Sequence, residues 1–122
     1  MFLTFDTETT GLPKNFKADV SDSENWPRLV QLAWQLNNEK GDLLSNDSLI
    51  IKPDGFTIPF NSEKVHGIST EIANNNGIDL KEAILKFEKD LKKSKYIIGH
   101  NINFDLNILG ACLLYTSPSP RD

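Results

Sequence analysis

Hydrophobic and polar positions in the first half of the chain follow the period of β-strands. Residues 1–5 form a short apolar run, and residues 28–37 alternate between apolar and polar side chains. The glycine within residues 38–42 is typical of a hairpin turn, after which residues 43–53 predict a returning strand. We expect three antiparallel strands here, with a long loop over residues 7–27.

The second half changes to helical spacing. Residues 62–69 and 69–77 predict short helical turns, each ending at a glycine. The clearest helix begins at Asp79, which with Glu82 three positions later resembles a capping box. Its apolar face is Leu80, Ala83, Ile84, Phe87 and Leu91.

A fourth strand and a last helix complete the predicted elements. Residues 96–100 predict a short buried strand, and the segment from residue 101 to 110 predicts a helix whose apolar positions are Ile102, Leu106 and Leu109. A hairpin followed by a helix and another strand predicts the α/β class, with a sheet of mixed direction.

Composition narrows the class of protein. The chain has 122 residues, 39% of them hydrophobic and 25% charged, as expected for one soluble domain. Its single cysteine excludes an internal disulfide framework. We find neither an apolar stretch of about 18 residues nor the features of a signal peptide, so we expect a cytoplasmic protein without membrane segments. The net charge of −4 argues against broad clamping of a phosphate backbone, but not against local contact through metal ions.

Two acids stand one position apart in the segment "FDTETTGLP" (residues 5–13). Residues two apart on a strand point to the same side, so Asp6 and Glu8 present two carboxylates to one region. Two hard divalent cations about 4 Å apart would relieve their repulsion and could drive attack on a phosphodiester. For an isolated D-x-E pattern the alternative is a solvated turn with incidental acids.

The surrounding motifs carry a resemblance. "FDTETTGL" resembles the first motif, and "GHNINFDLNIL" the second motif, of the DEDD or DnaQ-like 3′–5′ exonuclease superfamily. "RLVQLAWQL" and "VHGIS" also look like corresponding segments of its bacterial members. Within the superfamily, the chain resembles the DEDDh type, to which the exonuclease of the DNA polymerase III epsilon subunit is similar. The resemblance covers nearly all of residues 1–111 and implies a ribonuclease H-like sheet, with strand 4 parallel to strand 1.

The resemblance also implies a metal-dependent enzyme. Asp6, Glu8 and Asp105 would be catalytic metal ligands for two Mg²⁺ or Mn²⁺ ions, with Asp6 between both ions. The full-length protein would hydrolyse phosphodiester bonds at nucleic-acid 3′ ends, in proofreading or trimming. DNA is favoured over RNA as the substrate, and a DNA polymerase is a candidate partner.

Further residues would bind the substrate by the same resemblance. Thr9 and Thr10 would lie beside the terminal nucleotide, Leu12 would wedge against its base, and Asn101 and Phe104 would line its pocket. For Phe104 the physical argument is base stacking, and the alternative is a core helix residue. His66 is expected in a local turn or near the substrate.

The general base and the fourth acid of the family are expected in a third motif, H-x-x-x-x-D. The segment from His100 to Asp105 fits that spacing formally, but its position fits the second motif. The third motif is therefore expected to be missing, and this fragment to be weakly folded and inactive. A non-catalytic nucleotide or nucleic-acid binding module is the alternative, and a carboxylate-pair hydrolase such as a glycosidase is a more distant one.

The last residues differ from the rest. "LLYTSPSPRD" resembles the in-frame translation of an adapter used in transposon-based sequencing libraries. We therefore interpret residues 1–111 as the N-terminal portion of an exonuclease domain and residues 112–122 as a non-native tail, with a Pro/Ser linker as the alternative.

Overall fold

A computed structural model describes residues 1–22 and 25–116, the last four of these by their backbone only. Its centre is a four-stranded sheet in the order β3-β2-β1-β4. The strands are β1 (Phe2–Thr9), β2 (Leu29–Asn37), β3 (Leu43–Ile50) and β4 (Tyr96–Ile98). β1 pairs antiparallel with β2 and parallel with β4, and β2 pairs antiparallel with β3. The predicted mixed sheet is confirmed.

In the described residues four helices flank the sheet: α1 (Phe60–His66), α2 (Thr70–Asn76), α3 (Leu80–Leu91) and α4 (Ile102–Thr116). α1 ends at Gly67, whose positive φ of 76° suits glycine and whose N–H donates to the Glu63 carbonyl. Asp79 precedes α3 as predicted, but its side chain makes no capping hydrogen bond. The capping-box interpretation therefore located the start of the helix correctly, but the side-chain hydrogen bond that it implies for Asp79 is not formed.

The main core lies between the sheet and the last two helices. Phe87 on α3 places its ring centroid 5.3 Å from that of Phe5 on β1 and 5.3 Å from that of Trp34 on β2. The Trp34 indole N–H donates to Asp90 Oδ2 at 2.9 Å, and the Ser45 hydroxyl donates to the same oxygen at 2.8 Å. These contacts fix α3 across β2 and β3.

A bulge at the start of β2 leads to a second, smaller cluster. Glu8 pairs with Gln31 and Thr9 with Leu29, so Val30 has no partner on β1. Val30 is fully buried in this cluster, which is formed by Val30, Ile58, Ile68 and Ala73. Bulges bend a strand and redirect its side chains, and they are frequent beside active sites.

Three expectations from sequence need correction. β1 continues to Thr9, so the predicted loop from residue 7 starts later. β4 is not buried: Tyr96, Ile97 and Ile98 are 53%, 42% and 46% exposed, because β4 is an edge strand. Leu106 is 43% exposed, whereas the buried face of α4 is formed by Asp105, Ile108, Leu109, Ala111 and Cys112.

The predicted tail is only partly within the described chain. Cys112 is 2% exposed and packs in the main core, and α4 continues to Thr116. Residues 117–122 lie outside the described residues, and whether residues 112–122 are native stays a prediction. Among the described residues, none of the helices has both the length and the apolar character needed to cross a bilayer.

Candidate functional site

The carboxyl half of β1 carries the two acids on one face. Along β1 the side chains of Leu3, Phe5 and Thr7 are buried, whereas Asp6 is exposed and Glu8 is half-buried. This alternation is the two-residue period of a strand. Asp6 and Glu8 therefore point to the same side of the sheet, as the sequence predicts, and away from the main core.

Asp105 approaches the same strand from α4. It is 2% exposed, and its Oδ1 accepts a hydrogen bond of 2.6 Å from the Thr7 hydroxyl across 98 positions of sequence. Its other oxygen, Oδ2, is buried and has no hydrogen-bond partner among the residues that the structure describes. A buried carboxylate oxygen without a partner is costly, so this atom indicates a missing ligand or a missing proton.

Gly99 permits this approach. A Cβ atom at residue 99 would lie 2.9 Å from Ile102 Cδ1 and 3.3 Å from Asp105 Oδ2. The absence of a side chain thus leaves space for the carboxylate between the end of β4 and the start of α4.

The electrostatic environment of Asp105 disfavours its negative charge. Burial raises the pKa of this carboxyl group above its usual value, the nearby charge of Asp6 raises it further, and the hydrogen bond from Thr7 opposes both. Asp6 and Asp105 lie on different faces of β1, since Asp6 is exposed and Asp105 contacts the buried Thr7, but the charge of Asp6 still acts on Asp105. A bound cation would relieve this repulsion.

A pocket of about 350 Å³ opens beside these groups. It is lined by Thr7, Glu8, Thr9, Gly11, Leu12, Ser62, Val65, His66 and Phe104. The lining combines apolar side chains with a few polar groups, which is the usual composition of a small-molecule site.

His66 presents a second unsatisfied atom in this pocket. Its Nδ1 accepts the Ile68 N–H at 3.1 Å, so in the neutral ring the proton resides on Nε2. Nε2 is buried and has no partner in the structure. It is therefore available as a donor to a ligand in the pocket.

The predicted substrate residues fall into two groups. Thr9, Leu12 and Phe104 line the pocket, whereas Thr10 and Asn101 do not. The Thr10 hydroxyl accepts the Arg28 N–H at 2.9 Å, which ties β1 to the start of β2. The Asn101 carbonyl accepts the Asp105 N–H at 3.1 Å, so this residue supports α4.

The sequence patterns assigned no role to the pocket residues Thr7, Ser62 and Val65, and they placed His66 in a local turn or near the substrate. Thr7 lies within the motif "FDTETTGL" but, like Ser62, had no signal of its own, because a buried Thr on a strand and a Ser near a helix start are ordinary structural residues. Val65 and His66 fall in "VHGIS", and that resemblance was the available signal for them. The Ser62 hydroxyl donates to the Thr10 carbonyl, which joins α1 to the end of β1.

The fit of the site to metal ions can be tested on its donors. The carboxylate oxygens of Asp6, Glu8 and Asp105 are of the type that Mg²⁺ and Mn²⁺ prefer, and Asp105 Oδ2 lacks a partner. Within residues 1–22 and 25–112, however, no three or more His, Cys, Asp or Glu side chains are grouped closely enough to hold a metal ion. The donor types fit, and the assignment of the three acids as ligands stays a prediction.

Comparison with known proteins gives one sequence relative and a consistent fold. No family model matches the chain. It is 33% identical over 114 residues to the PolC-type DNA polymerase III of Ureaplasma parvum serovar 3, covering 93% of this chain and 7% of that protein.

Solved structures agree on the fold. Exonuclease I of E. coli in complex with a dT13 oligonucleotide superposes with a TM-score of 0.74 at 19% identity, covering 93% of this chain and 23% of the other. A moderately thermophilic exonuclease I from Methylocaldum szegediense gives 0.74 at 21% identity, covering 92% and 23%. The chain thus spans less than a quarter of each of these relatives.

Proposed function

We propose that this chain, which belongs to the DnaQ-like 3′–5′ exonuclease superfamily and has its nuclease fold, is part of a domain that hydrolyses phosphodiester bonds at nucleic-acid 3′ ends. Residues 1–111 are proposed as the N-terminal portion of that domain. The activity, substrate and partners of the whole protein are part of this proposal, because the chain covers 7% of its sequence relative.

One observation carries the proposal: among the described residues, the buried Oδ2 of Asp105 has no hydrogen-bond partner. A purely structural aspartate would have its second oxygen satisfied by a neighbouring donor. A cation bound between β1 and α4 would satisfy this oxygen. We therefore propose Asp6, Glu8 and Asp105 as ligands for Mg²⁺ or Mn²⁺.

Two such ions, when bound, supply an activated water and stabilise the leaving oxygen. The contribution of the chain itself is positional. Thr7 holds Asp105 through its hydroxyl, and β1 holds Asp6 and Glu8 at fixed spacing. In the pocket, Phe104 offers an aromatic face to a base, and His66 Nε2 offers a donor to the sugar or phosphate.

The substrate is proposed to be a nucleic-acid 3′ end, with DNA favoured over RNA. The relative is a DNA polymerase, and exonuclease I has been solved with an oligonucleotide. A DNA polymerase is proposed as a partner because the relative is a DNA polymerase, and a cytoplasmic location is proposed from the sequence alone. Thr9 and Leu12 would contact the terminal nucleotide from one side, and Phe104 from the other.

Metal titration tests the proposal on the chain itself. We expect calorimetry to detect Mn²⁺ binding to the wild type, and we expect Asp105→Asn and Glu8→Gln each to weaken it by about ten-fold or more. Asp47→Asn is the matched control, because Asp47 is an exposed carboxylate on β3, away from the site. Equal Mn²⁺ affinity in all four proteins would refute the metal site.

A second candidate is a non-catalytic nucleotide or nucleic-acid binding module. It is favoured by the lack of a ready group of three metal-binding side chains in the described residues. The discriminating assay uses a version of the protein that extends beyond residue 111 in its native coding sequence. Release of mononucleotides from a labelled 3′ end that stops on addition of EDTA supports the enzyme. Binding without release in Mg²⁺ supports the module, and activity that persists in EDTA indicates another type of hydrolase.

A further inference from the structure

An exposed aromatic side chain lies next to the proposed nucleotide pocket and has no role in the site described above. Phe16, in the loop between β1 and β2, is 54% exposed. Its ring centroid lies 6.3 Å from that of Phe104, with the two ring planes tilted by 48°. Phe104 lines the pocket, so it connects the pocket to Phe16.

Three hydrogen bonds, two of them partly buried, hold this part of the loop in place. Asn25, which is 6% exposed, accepts the Asn15 N–H at 2.6 Å and donates its amide to the Asn15 carbonyl at 2.9 Å. The Asn15 side chain in turn accepts the Lys17 N–H at 3.0 Å. Phe16 therefore projects from an anchored turn, which keeps an apolar ring at the surface without burying it.

The surroundings of Phe16 suit a nucleic-acid strand. Lys14 and Lys17 are exposed on either side of it. Leu12 and Val65, which line the pocket, are 77% and 81% exposed. An exposed aromatic ring with exposed lysines close to it in sequence can stack on a base while the lysines contact nearby phosphates, and such stacking tolerates any sequence.

We propose that Phe16 is a second base-stacking residue, which binds a base upstream of the terminal nucleotide in a single strand. This inference rests on the proposed function, because Phe104 must hold the terminal nucleotide. Paired bases in a duplex do not offer their faces, so this stacking selects for an unpaired 3′ segment of at least two nucleotides. Lys14 and Lys17 would contact the adjoining phosphates.

The test separates one nucleotide from several. Calorimetry would compare thymidine 5′-monophosphate with a single-stranded thymidine pentanucleotide whose phosphorothioate linkages resist hydrolysis. We expect the wild type to bind the pentanucleotide more tightly than the monophosphate. Phe16→Ala should lose roughly ten-fold in pentanucleotide affinity and keep its monophosphate affinity. Phe16→Tyr should retain both, whereas Phe104→Ala should weaken both.

Tyr96→Ala is the matched control. Tyr96 is 53% exposed, contacts one aromatic ring as Phe16 does, and lies on β4 beside Phe2, at the opposite end of β1. It should leave both affinities unchanged. Circular dichroism of each variant establishes that it is folded. Phe16→Trp gives an independent measurement, because Trp26 and Trp34 are buried and an exposed indole at this position would be quenched by a stacked base.

The outcomes are distinguishable. If the wild type binds both ligands but Phe16→Ala keeps the full gain for the pentanucleotide, the inference is overturned and the proposed function stands. The inference is also overturned, and the proposed function stands, if Phe16→Ala changes only the oligomeric state of the protein. That result would mean that the apolar surface around Phe16 binds a second copy of the chain. If the wild type binds neither ligand, the proposed function fails and the inference fails with it.

Discussion

Two buried aspartates of this chain are held in opposite ways. Asp90 accepts hydrogen bonds from Trp34 and Ser45 and lies near Lys93, which satisfies its charge within the fold. Asp105 accepts a hydrogen bond from the Thr7 hydroxyl, and within the described part of the chain its second oxygen is buried without a partner. Asp90 therefore stabilises the fold, whereas the second oxygen of Asp105 is available to bind a ligand.

The pKa values of the Asp90 and Asp105 carboxyl groups are shifted in opposite directions. At Asp90, burial is the largest influence and raises the pKa, but the hydrogen bonds from Trp34 and Ser45 and the charges of Lys93 and Lys89 together outweigh it, so the pKa is lowered. At Asp105, burial and the charge of Asp6 prevail, and the pKa is raised. The shifts are opposite because the partners differ and because Asp105 is the more deeply buried of the two groups.

Removing the satisfied carboxylate should have the largest effect. Asp90→Ala leaves the buried indole N–H of Trp34 and the Ser45 hydroxyl without an acceptor. We expect it to lower the free energy of unfolding by about 3 kcal/mol. Urea denaturation measures this change. Lys93→Ala, which removes only the half-exposed ion-pair partner at 3.8 Å, is the control and should cost about 0.5 kcal/mol or less. Equal losses of stability in the two variants would show that the hydrogen bonds to Asp90 contribute no more than its ion pair with Lys93.

Filling the space beside the unsatisfied carboxylate should have the next largest effect. The added methyl of Gly99→Ala would meet Ile102 Cδ1 at 2.9 Å and Asp105 Oδ2 at 3.3 Å. We expect a loss of about 1–2 kcal/mol in the free energy of unfolding, because the flexible end of Ile102 can move, together with weaker Mn²⁺ binding. A Gly99→Ala protein with unchanged stability and Mn²⁺ affinity would show that α4 can shift freely.

Neutralising the unsatisfied carboxylate should change stability least among the three substitutions. Asp105→Asn keeps an acceptor for the Thr7 hydroxyl and removes the repulsion by Asp6. We expect the free energy of unfolding in EDTA to stay within about 1 kcal/mol of the wild type. A loss of stability as large as that of Asp90→Ala would show that Asp105, like Asp90, serves to stabilise the fold. The contrast between the two aspartates would then be wrong.

The pH dependence of stability should report Asp90. Because its pKa in the folded state lies below its ordinary value of 3.8, its stabilising contribution is complete above that value and is lost as the pH falls through the folded pKa. Below about pH 4 we expect the stability of the wild type to fall as the pH is lowered, and we expect a smaller fall for Asp90→Asn. Thermal unfolding between pH 3 and pH 6 measures this difference, which should vanish if Asp90 titrates alike in both states.

Sequence patterns predicted the local features well. The alternation of residues 28–37, the hairpin glycine and the helical spacing after Asp79 each depend on near neighbours, and the structure has the corresponding elements. The order of the predicted elements indicated the mixed sheet, the two-residue period of a strand indicated that Asp6 and Glu8 share a side, and the motif resemblance added that β4 is parallel to β1. The end of β1 was misjudged because Asp6, Glu8 and the threonines between and after them are polar, as loop residues are.

Long-range contacts could not be predicted from the sequence. The hydrogen bond from Thr7 to Asp105 joins residues 98 positions apart, and the Ser62 contact to Thr10 joins residues 52 apart. The position of β4 at the edge of the sheet, which exposes Ile97, follows from the order of strands rather than from composition. The bulge that leaves Val30 unpaired has no local signature either.

The outer edge of β4 has a practical consequence for work with this chain. In the described part of the chain this edge pairs with no other strand, and its three residues are apolar or aromatic and partly exposed. Such edges recruit strands from other molecules. Protein concentration should therefore decide whether purified material stays clear, and a lysine introduced by Ile97→Lys is the substitution we would make first to keep samples in solution.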